Sequence, residues 1–218
     1  QDLFKLKAEY LKLDELTRSD IYTAIDHEES DISFLNAKEL VLELFNNFDK
    51  DFCVKANKLF KNEHIDALPK TNKTNGAYCL SVCPLTTPYV MLNFTGTKRD
   101  VLVMAHELGH AVHYMYSSDQ SYFTYDAPLI LAETASTFCE LLVFDELLKR
   151  TKDKDKKISL LFEKLTDIYA TIARQIYFIK FEILAHEKLE KGISKEELSN
   201  EYYELIKELF GPDIRIDK

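Results

Sequence analysis

The sequence has no surplus of positive charge: 28 lysines and arginines stand against 37 aspartates and glutamates, for a formal net charge of −9. A nucleic-acid partner calls for a basic stripe that neutralises phosphates, so that class of function is set aside. The lysines from Lys152 to Lys157 are interrupted by Asp153 and Asp155 and read as a solvated helix approach. No run approaches the ~18 consecutive apolar residues of a membrane span, and Gln1-Asp2-Leu3-Phe4-Lys5 has no signal-peptide order. The expectation is a soluble chain with no membrane partner, although an opening on Gln rather than Met leaves room for residues before it. Cysteine is scarce. Cys53, Cys79, Cys83 and Cys139 are too scattered for a disulfide scaffold, each reads as a small buried hydrophobe, and a reducing cytoplasm is expected. The lone C-x-x-x-C of Cys79 and Cys83 lacks the second pair of a structural zinc site. Internal repeats and low-complexity linkers are missing too.

What is present is ordinary for a folded globular protein: 46% of the 218 residues are apolar and 30% are charged. That length permits one domain or two small ones, and one helical body is the simpler reading. Leu3, Leu6, Tyr10 and Leu13 predict a short amphipathic helix. Asn36 is the expected cap of a helix to about Asn46, followed by a second from Asp51 to Asn62. Between Pro69 and Gly96 the pattern changes to two β-rich runs, Ala77 to Cys83 and Tyr89 to Phe94, which predict a small sheet or hairpin. Thr97-x-x-Asp100 is a capping box for a helix from Lys98 to Ser117. Asp126 and Pro128 open another to about Lys149. A periodic stretch from Lys156 to Lys191 stops at Gly192, and Ser194-x-x-Glu197 starts a last helix that ends at Gly211-Pro212.

The chemistry concentrates in His106-Glu107-Leu108-Gly109-His110. Residues four apart lie one turn apart on the same helix face, so the two imidazoles can reach one ion about 2.0 Å from each. Glu107, beside them, is placed to reach a water on that ion rather than the ion itself, the general-base position of an H-E-x-x-H peptidase. Zn²⁺ lowers the pKa of such a water toward ~7 and polarises a scissile carbonyl, while the carboxylate moves the proton to the leaving amine. A catalytic zinc needs a third protein ligand and an open position. His113 shares the face, but its Cα would lie roughly 10 Å along the axis from that of His106, which suits packing or a substrate-side role better. Glu133 follows the apolar run Leu129-Ile130-Leu131-Ala132, and a carboxylate buried there would need a cation, which favours a ligand role. Glu140, seven residues on, is better placed to orient a ligating histidine, and an ordinary surface glutamate is an equal reading of it.

The segments Ala105-His106-Glu107-Leu108-Gly109-His110-Ala111-Val112-His113 and Leu131-Ala132-Glu133-Thr134-Ala135-Ser136-Thr137-Phe138-Cys139-Glu140 resemble the oligoendopeptidase F and thimet oligopeptidase family. Gly76-Ala77-Tyr78 and Pro88-Tyr89-Val90-Met91-Leu92-Asn93-Phe94 are similar to its oligoendopeptidase F branch. The resemblance implies one Zn²⁺ per chain held by His106, His110 and Glu133, with Glu107 as base and proton shuttle acting on short oligopeptides. It implies a mainly α fold, a helical metallopeptidase catalytic domain with a small β-sheet beside the H-E-x-x-H helix. On this reading the chain is part of that domain, divided into helical 1–68, β-rich 69–96, zinc-site helices 97–150 and helical 151–218. Family members carry a helical lobe before this region and, after it, a segment of the type H-x-Y-x-x-x-F-Y-x-Y that is not found here, so a fragment with metal binding and weak turnover is expected. A related metallocarboxypeptidase and a metal-binding module without turnover are the competing readings. The oligomeric state is not legible in the sequence.

Overall fold

A computed structural model describes residues 2–23, 25 and 31–216. In chain order the elements are α1 (Asp2–Leu11), β1 (Leu16–Thr17), α2 (Phe34–Phe48), α3 (Lys50–Lys61), β2 (Ile65–Asp66), β3 (Tyr78–Leu80), β4 (Tyr89–Met91), α4 (Lys98–Tyr116), α5 (Leu129–Ala132), α6 (Thr134–Arg150), α7 (Lys154–Tyr169), α8 (Gln175–Leu189), α9 (Lys195–Phe210) and β5 (Ile214–Arg215). The fold is mainly α, as the helical periodicity predicts. No helix among the described residues is long and apolar enough to cross a membrane. The chain divides into two compact units, Gln1–His27 with Thr151–Lys218, and Glu28–Arg150.

The unit Glu28–Arg150 begins with a helical hairpin. Its first helix starts earlier than expected because Ser33 Oγ, not Asn36, is the cap, and it accepts the Asn36 N–H at 3.1 Å. Asp49 ends that helix and caps the next through Phe52 N at 2.8 Å, which makes the turn a single residue. Ala37, Val41, Leu44 and Phe45 recur at helical spacing and are buried with Ala56 and Leu59 of α3. They share a core with Val101, Met104, Ala105, Leu108 and Val112 of α4 and with Cys139 and Val143 of α6.

The small sheet has the order β2-β4-β3. β3 pairs antiparallel with β4, Cys79 opposite Val90, and β2 pairs parallel with β4, Ile65 opposite Val90. The two expected strands are there but shorter than their β-rich runs, and the parallel strand β2 was not expected. Beyond β4, Leu92 N and Phe94 N donate to Asp66 O and Ala67 O, which carries the pairing toward α4. β3 and β4 both pack on α4, so the sheet lies beside the helix of the H-E-x-x-H run. With β4 on one side of it only, β3 forms an edge of this sheet.

The unit Gln1–His27 with Thr151–Lys218 has its own core of Phe4, Leu16, Ile21, Ile206, Leu209, Phe210 and Ile214. Lys7 is buried there, its Nζ donating to Ile21 O at 2.6 Å and Thr23 O at 2.8 Å. The stretch expected as one helix from Lys156 to Lys191 is α7 and α8 joined through a π turn, Ala170–Arg174. Gly192 at φ +80° follows it, and the Ser194–Glu197 capping box forms as expected.

The closest approach that matters for the site is between α4 and α6. A Cβ built on Gly109 would lie 2.8 Å from Ala135 O and 2.8 Å from Ser136 Cα, both backbone atoms. Alanine is favoured over glycine inside a helix by about 1 kcal/mol, whereas forcing atoms into a filled contact costs about 1–3 kcal/mol. Crowding against backbone should win. Gly109→Ala is therefore expected to lower stability by roughly 1 kcal/mol and the melting temperature by about 2–4 °C. A melting curve unchanged or shifted upward would show that the two helices can separate there freely.

Candidate metal centre

α4 is fixed at its start. Thr97 Oγ1 accepts Asp100 N at 3.1 Å, and Asp100 Oδ2 accepts Thr97 N at 3.0 Å and Thr95 N at 2.9 Å. Burial pushes the Asp100 carboxyl up, but these bonds outweigh it and leave it below its ordinary range. Three turns of helix then carry His106 and His110 on one face, their rings 4.9 Å apart at 81°.

The structure brings Glu133 to both. Its Oε2 lies 3.2 Å from His106 Nε2 and 3.3 Å from His110 Nε2, and one donor atom from each of the three residues lies within 4.8 Å of the other two. Four ligands about 2.0–2.1 Å from a tetrahedral zinc are separated by roughly 3.3 Å, so these spacings are those of two edges of a zinc coordination shell. The donor set, two imidazoles and a carboxylate, is also a zinc set. The residues present fit the ion.

Glu133 reaches this place by a route the sequence did not suggest. The helix expected from Asp126 to Lys149 is broken: four-residue α5 ends at Glu133, at φ −86° and ψ 0°, and α6 begins afresh at Thr134. The carboxylate is not buried in an apolar run, as expected, but 61% exposed, because Leu129 and Ile130 before it face outward at 90% exposure. What holds it is Ser136, whose buried hydroxyl donates to Glu133 Oε2 at 2.7 Å and lies 3.0 Å from Glu133 O. Ser136 was missed. Its only signal is its place three residues after a glutamate at a helix start, where a short hydroxyl reaches back to the preceding turn.

Glu140 sits behind His106, with Oε2 3.2 Å from Nδ1. A proton on Nδ1, assigned from that contact, leaves the Nε2 lone pair facing Glu133. A hydrogen bond with the Ala132 backbone favours the protonated form of His110. Burial lowers the His106 pKa, yet Glu140, Glu107 and Glu133 together raise it, whereas His110 is held low mainly by burial. Glu107 is 7% exposed, and burial pushes its carboxyl up to about 7, with His106 opposing and Glu133 adding to the shift. Cys79 on β3 lies near enough to Glu107 for that carboxylate to add to the burial that raises its thiol to about 12. His113 stands outside the donor cluster and lines a recess beside His110. Cys83 departs from the buried-hydrophobe reading: it lies in a turn with Sγ 3.7 Å from Thr86 Oγ1, and its thiol is lowered by bonds with Thr86 and the Leu85 backbone.

A family model for peptidase family M3 matches residues 27–218. The chain belongs to that family. Among curated relatives it is 30% identical over 217 residues to Oligopeptidase PepF of Bacillus subtilis, covering 98% of this chain and 32% of that protein. It is 28% identical over 210 residues to the chromosomal oligoendopeptidase F of Lactococcus lactis subsp. cremoris, covering 95% and 35%. A crystal structure described as a peptidase from Chlamydophila abortus superposes with a TM-score of 0.80 at 33% identity, over 99% of this chain and 36% of that one. The chain thus spans about a third of the length of the curated relatives it matches.

Ser136 and Glu140 each touch a donor without being one, and partners of this kind change metal affinity by about 10- to 100-fold. Ser136→Ala and Glu140→Gln should each weaken Zn²⁺ binding within that range while leaving the melting temperature of the metal-free protein nearly unchanged. Competition against a chromogenic chelator measures the first, and thermal denaturation the second. Wild-type zinc affinity in both variants would remove these residues from the site.

Proposed function

We propose that this chain carries the active centre of a zinc endopeptidase that hydrolyses oligopeptides, within one catalytic domain. The observation that supports it most is the convergence of His106 Nε2, His110 Nε2 and Glu133 Oε2 at zinc-ligand spacing next to a buried Glu107. His106, His110 and Glu133 would hold one Zn²⁺. Bound there, the ion would supply Lewis acidity toward a scissile carbonyl and a water.

The remaining steps belong to the protein. Glu107 takes the proton of the attacking water and returns it to the departing amine, a role its place between the two imidazole positions allows to a buried carboxyl. Glu140 keeps His106 in one tautomer, and Ser136 keeps Glu133 turned toward the two imidazoles. Edge strand β3 offers an extended peptide main-chain hydrogen bonds that do not depend on its sequence. The exposed side chains of Tyr78 and Leu80 and the half-buried Cys79 between them show the strand's alternation. All four cysteines are free thiols, which suits the reducing cytoplasm in which we place the protein.

Glu107→Gln keeps the shape of the side chain and removes its capacity to accept a proton. In the full-length polypeptide this substitution should leave zinc content intact and lower kcat on a quenched oligopeptide by ~10²-fold or more. Metal analysis and turnover are read on the same preparation. Undiminished turnover at full zinc occupancy would sink the role of Glu107, and a protein that takes up no zinc would sink the whole reading.

A further inference from the structure

β3 has little of its own to hold it. It is three residues long, pairs with β4 on one side only, and is joined to β4 through residues 81–88, which form no strand or helix. Short strand pairs by themselves are marginal in water. Yet β3 packs on α4, and its middle residue Cys79 lies close enough to Glu107 to feel the charge of that carboxylate. A shift of β3 therefore changes what faces the centre.

Side chains from other parts of the chain fix the strand at both ends. At its entrance Asn93 Nδ2 donates to Thr74 O at 2.8 Å and to Gly76 O at 2.9 Å. Only the nitrogen end of the amide can face two carbonyls, so its orientation is settled by its partners. The β3–β4 register, Tyr78 opposite Met91, would set Gly76 opposite Asn93 if continued by two residues. The chain instead turns at Gly76, φ +86°, and the two N–H groups of the Asn93 amide take over where backbone pairing stops. Before the entrance, Lys73 Nζ donates to Asp66 O at 2.9 Å and Leu68 O at 2.8 Å, which ties the incoming loop to the chain at and after β2. At the exit, the hydroxyl of buried Tyr125 donates at 3.2 Å to Ser81 Oγ, one residue past β3.

We propose that Asn93 is a positioning residue for substrate: together with Tyr125 it holds edge strand β3 at a fixed distance from the His106–His110–Glu133 centre, so that a peptide paired with β3 presents one of its carbonyls there. The inference rests on the peptidase reading and on main-chain pairing along β3. Asn93 is not one of the donors and acts through the strand. Pairing carries any displacement of β3 straight into the peptide, and a misplacement of about 1 Å can cost ~10²-fold in rate.

The test compares three variants with the parent, all as zinc-loaded full-length polypeptide. Asn93→Asp keeps the shape of the side chain but sets an oxygen against the two carbonyls, Asn93→Ala removes the amide, and Tyr125→Phe releases the other end. Each should lower kcat/KM on quenched oligopeptides, Asn93→Asp by about 10- to 100-fold, at unchanged zinc affinity. The deciding readout is a scan in which the peptide amides, except that of the cleaved bond, are N-methylated one at a time. In the parent, methylation of at least one amide should cost about tenfold in kcat/KM, the worth of one hydrogen bond. The same methylation should cost about threefold or less in the variants, because the bond it removes is already displaced and coupled losses do not add. A merely structural role would leave the methylation factor where it was. Substitutions at two positions keep the test intact if one fails to fold. Equal methylation factors in parent and folded variants, unchanged kcat/KM in all of them, or weakened zinc binding overturns the proposal. A parent indifferent to methylation at every amide overturns pairing along β3, and this inference with it, while the zinc centre stands. A parent that cleaves none of the unmethylated peptides overturns the peptidase reading itself.

Discussion

The contact between Gly109 and the backbone at Ala135 and Ser136 is the constraint on which the site depends. Two helices that meet backbone to backbone bring their side-chain layers closer than helices held apart by ordinary side chains, which sit 8–10 Å between axes. His106 and His110 flank Gly109 on α4, while Glu133, Ser136 and Glu140 flank the contact on the other chain segment. A side chain at position 109 would push the whole of the second group outward together. The 3.2 and 3.3 Å spacings to Glu133 Oε2 could not then both be kept. The glycine is needed for close approach rather than for a special backbone angle, since it lies inside a regular helix.

Electrostatics accounts for the rest of the site. Glu107, Glu133 and Glu140 lie around the His106 imidazole, and Glu133 Oε2 also reaches His110 Nε2. Burial is the main cause of the upward shift of Glu107 to about 7, and the negative charge of Glu133 adds to it. A divalent cation held there would draw the Glu107 carboxyl back toward the ionised form that a base requires. Exposure of the Glu133 side chain keeps its addition moderate, because solvent reaches its far side. Burial falls instead on Glu107, where a dry setting strengthens each interaction of the proton it moves.

Much of this was legible in the sequence where the determinants are local. The four-residue spacing of His106 and His110 needs only helix geometry, and the Thr97–Asp100 and Ser194–Glu197 boxes state their helix starts outright. The two β-rich runs became β3 and β4 because β-rich composition and the turn residues that bound it are local properties. What escaped depends on partners distant in the chain. β2 is two residues long and exists because His64 to Ala67 meets Val90 to Phe94, which nothing in Ile65-Asp66 announces. The apolar run Leu129 to Ala132 was read as burial and is exposed, since periodicity reports only that a face exists and not what covers it. Ser33 in place of Asn36, and the π turn at Ala170–Arg174, are choices between nearly equivalent local options that tertiary packing decides.

One helix, α6, supplies or orders most of what the centre receives from outside α4. Glu133 stands at its entrance, Ser136 fixes Glu133 one turn in, and Glu140 two turns in fixes His106. The break before Thr134 is therefore more than an irregularity. In an unbroken helix residues 133 and 140 would lie on one face a fixed distance apart, both oriented by the same axis. The φ and ψ at Glu133 release it from that axis, so one carboxylate can reach the Nε2 side of His106 while the other stays at the Nδ1 side. A single imidazole is thereby contacted at both edges, by Glu140 of α6 and by Glu133 at the break before it. Its ring is held by Glu140 within α6 and by Glu133 just before that helix, which Ser136 of α6 ties down, so movements of α6 against Gly109 act on a proposed ligand, its clamp and its partner.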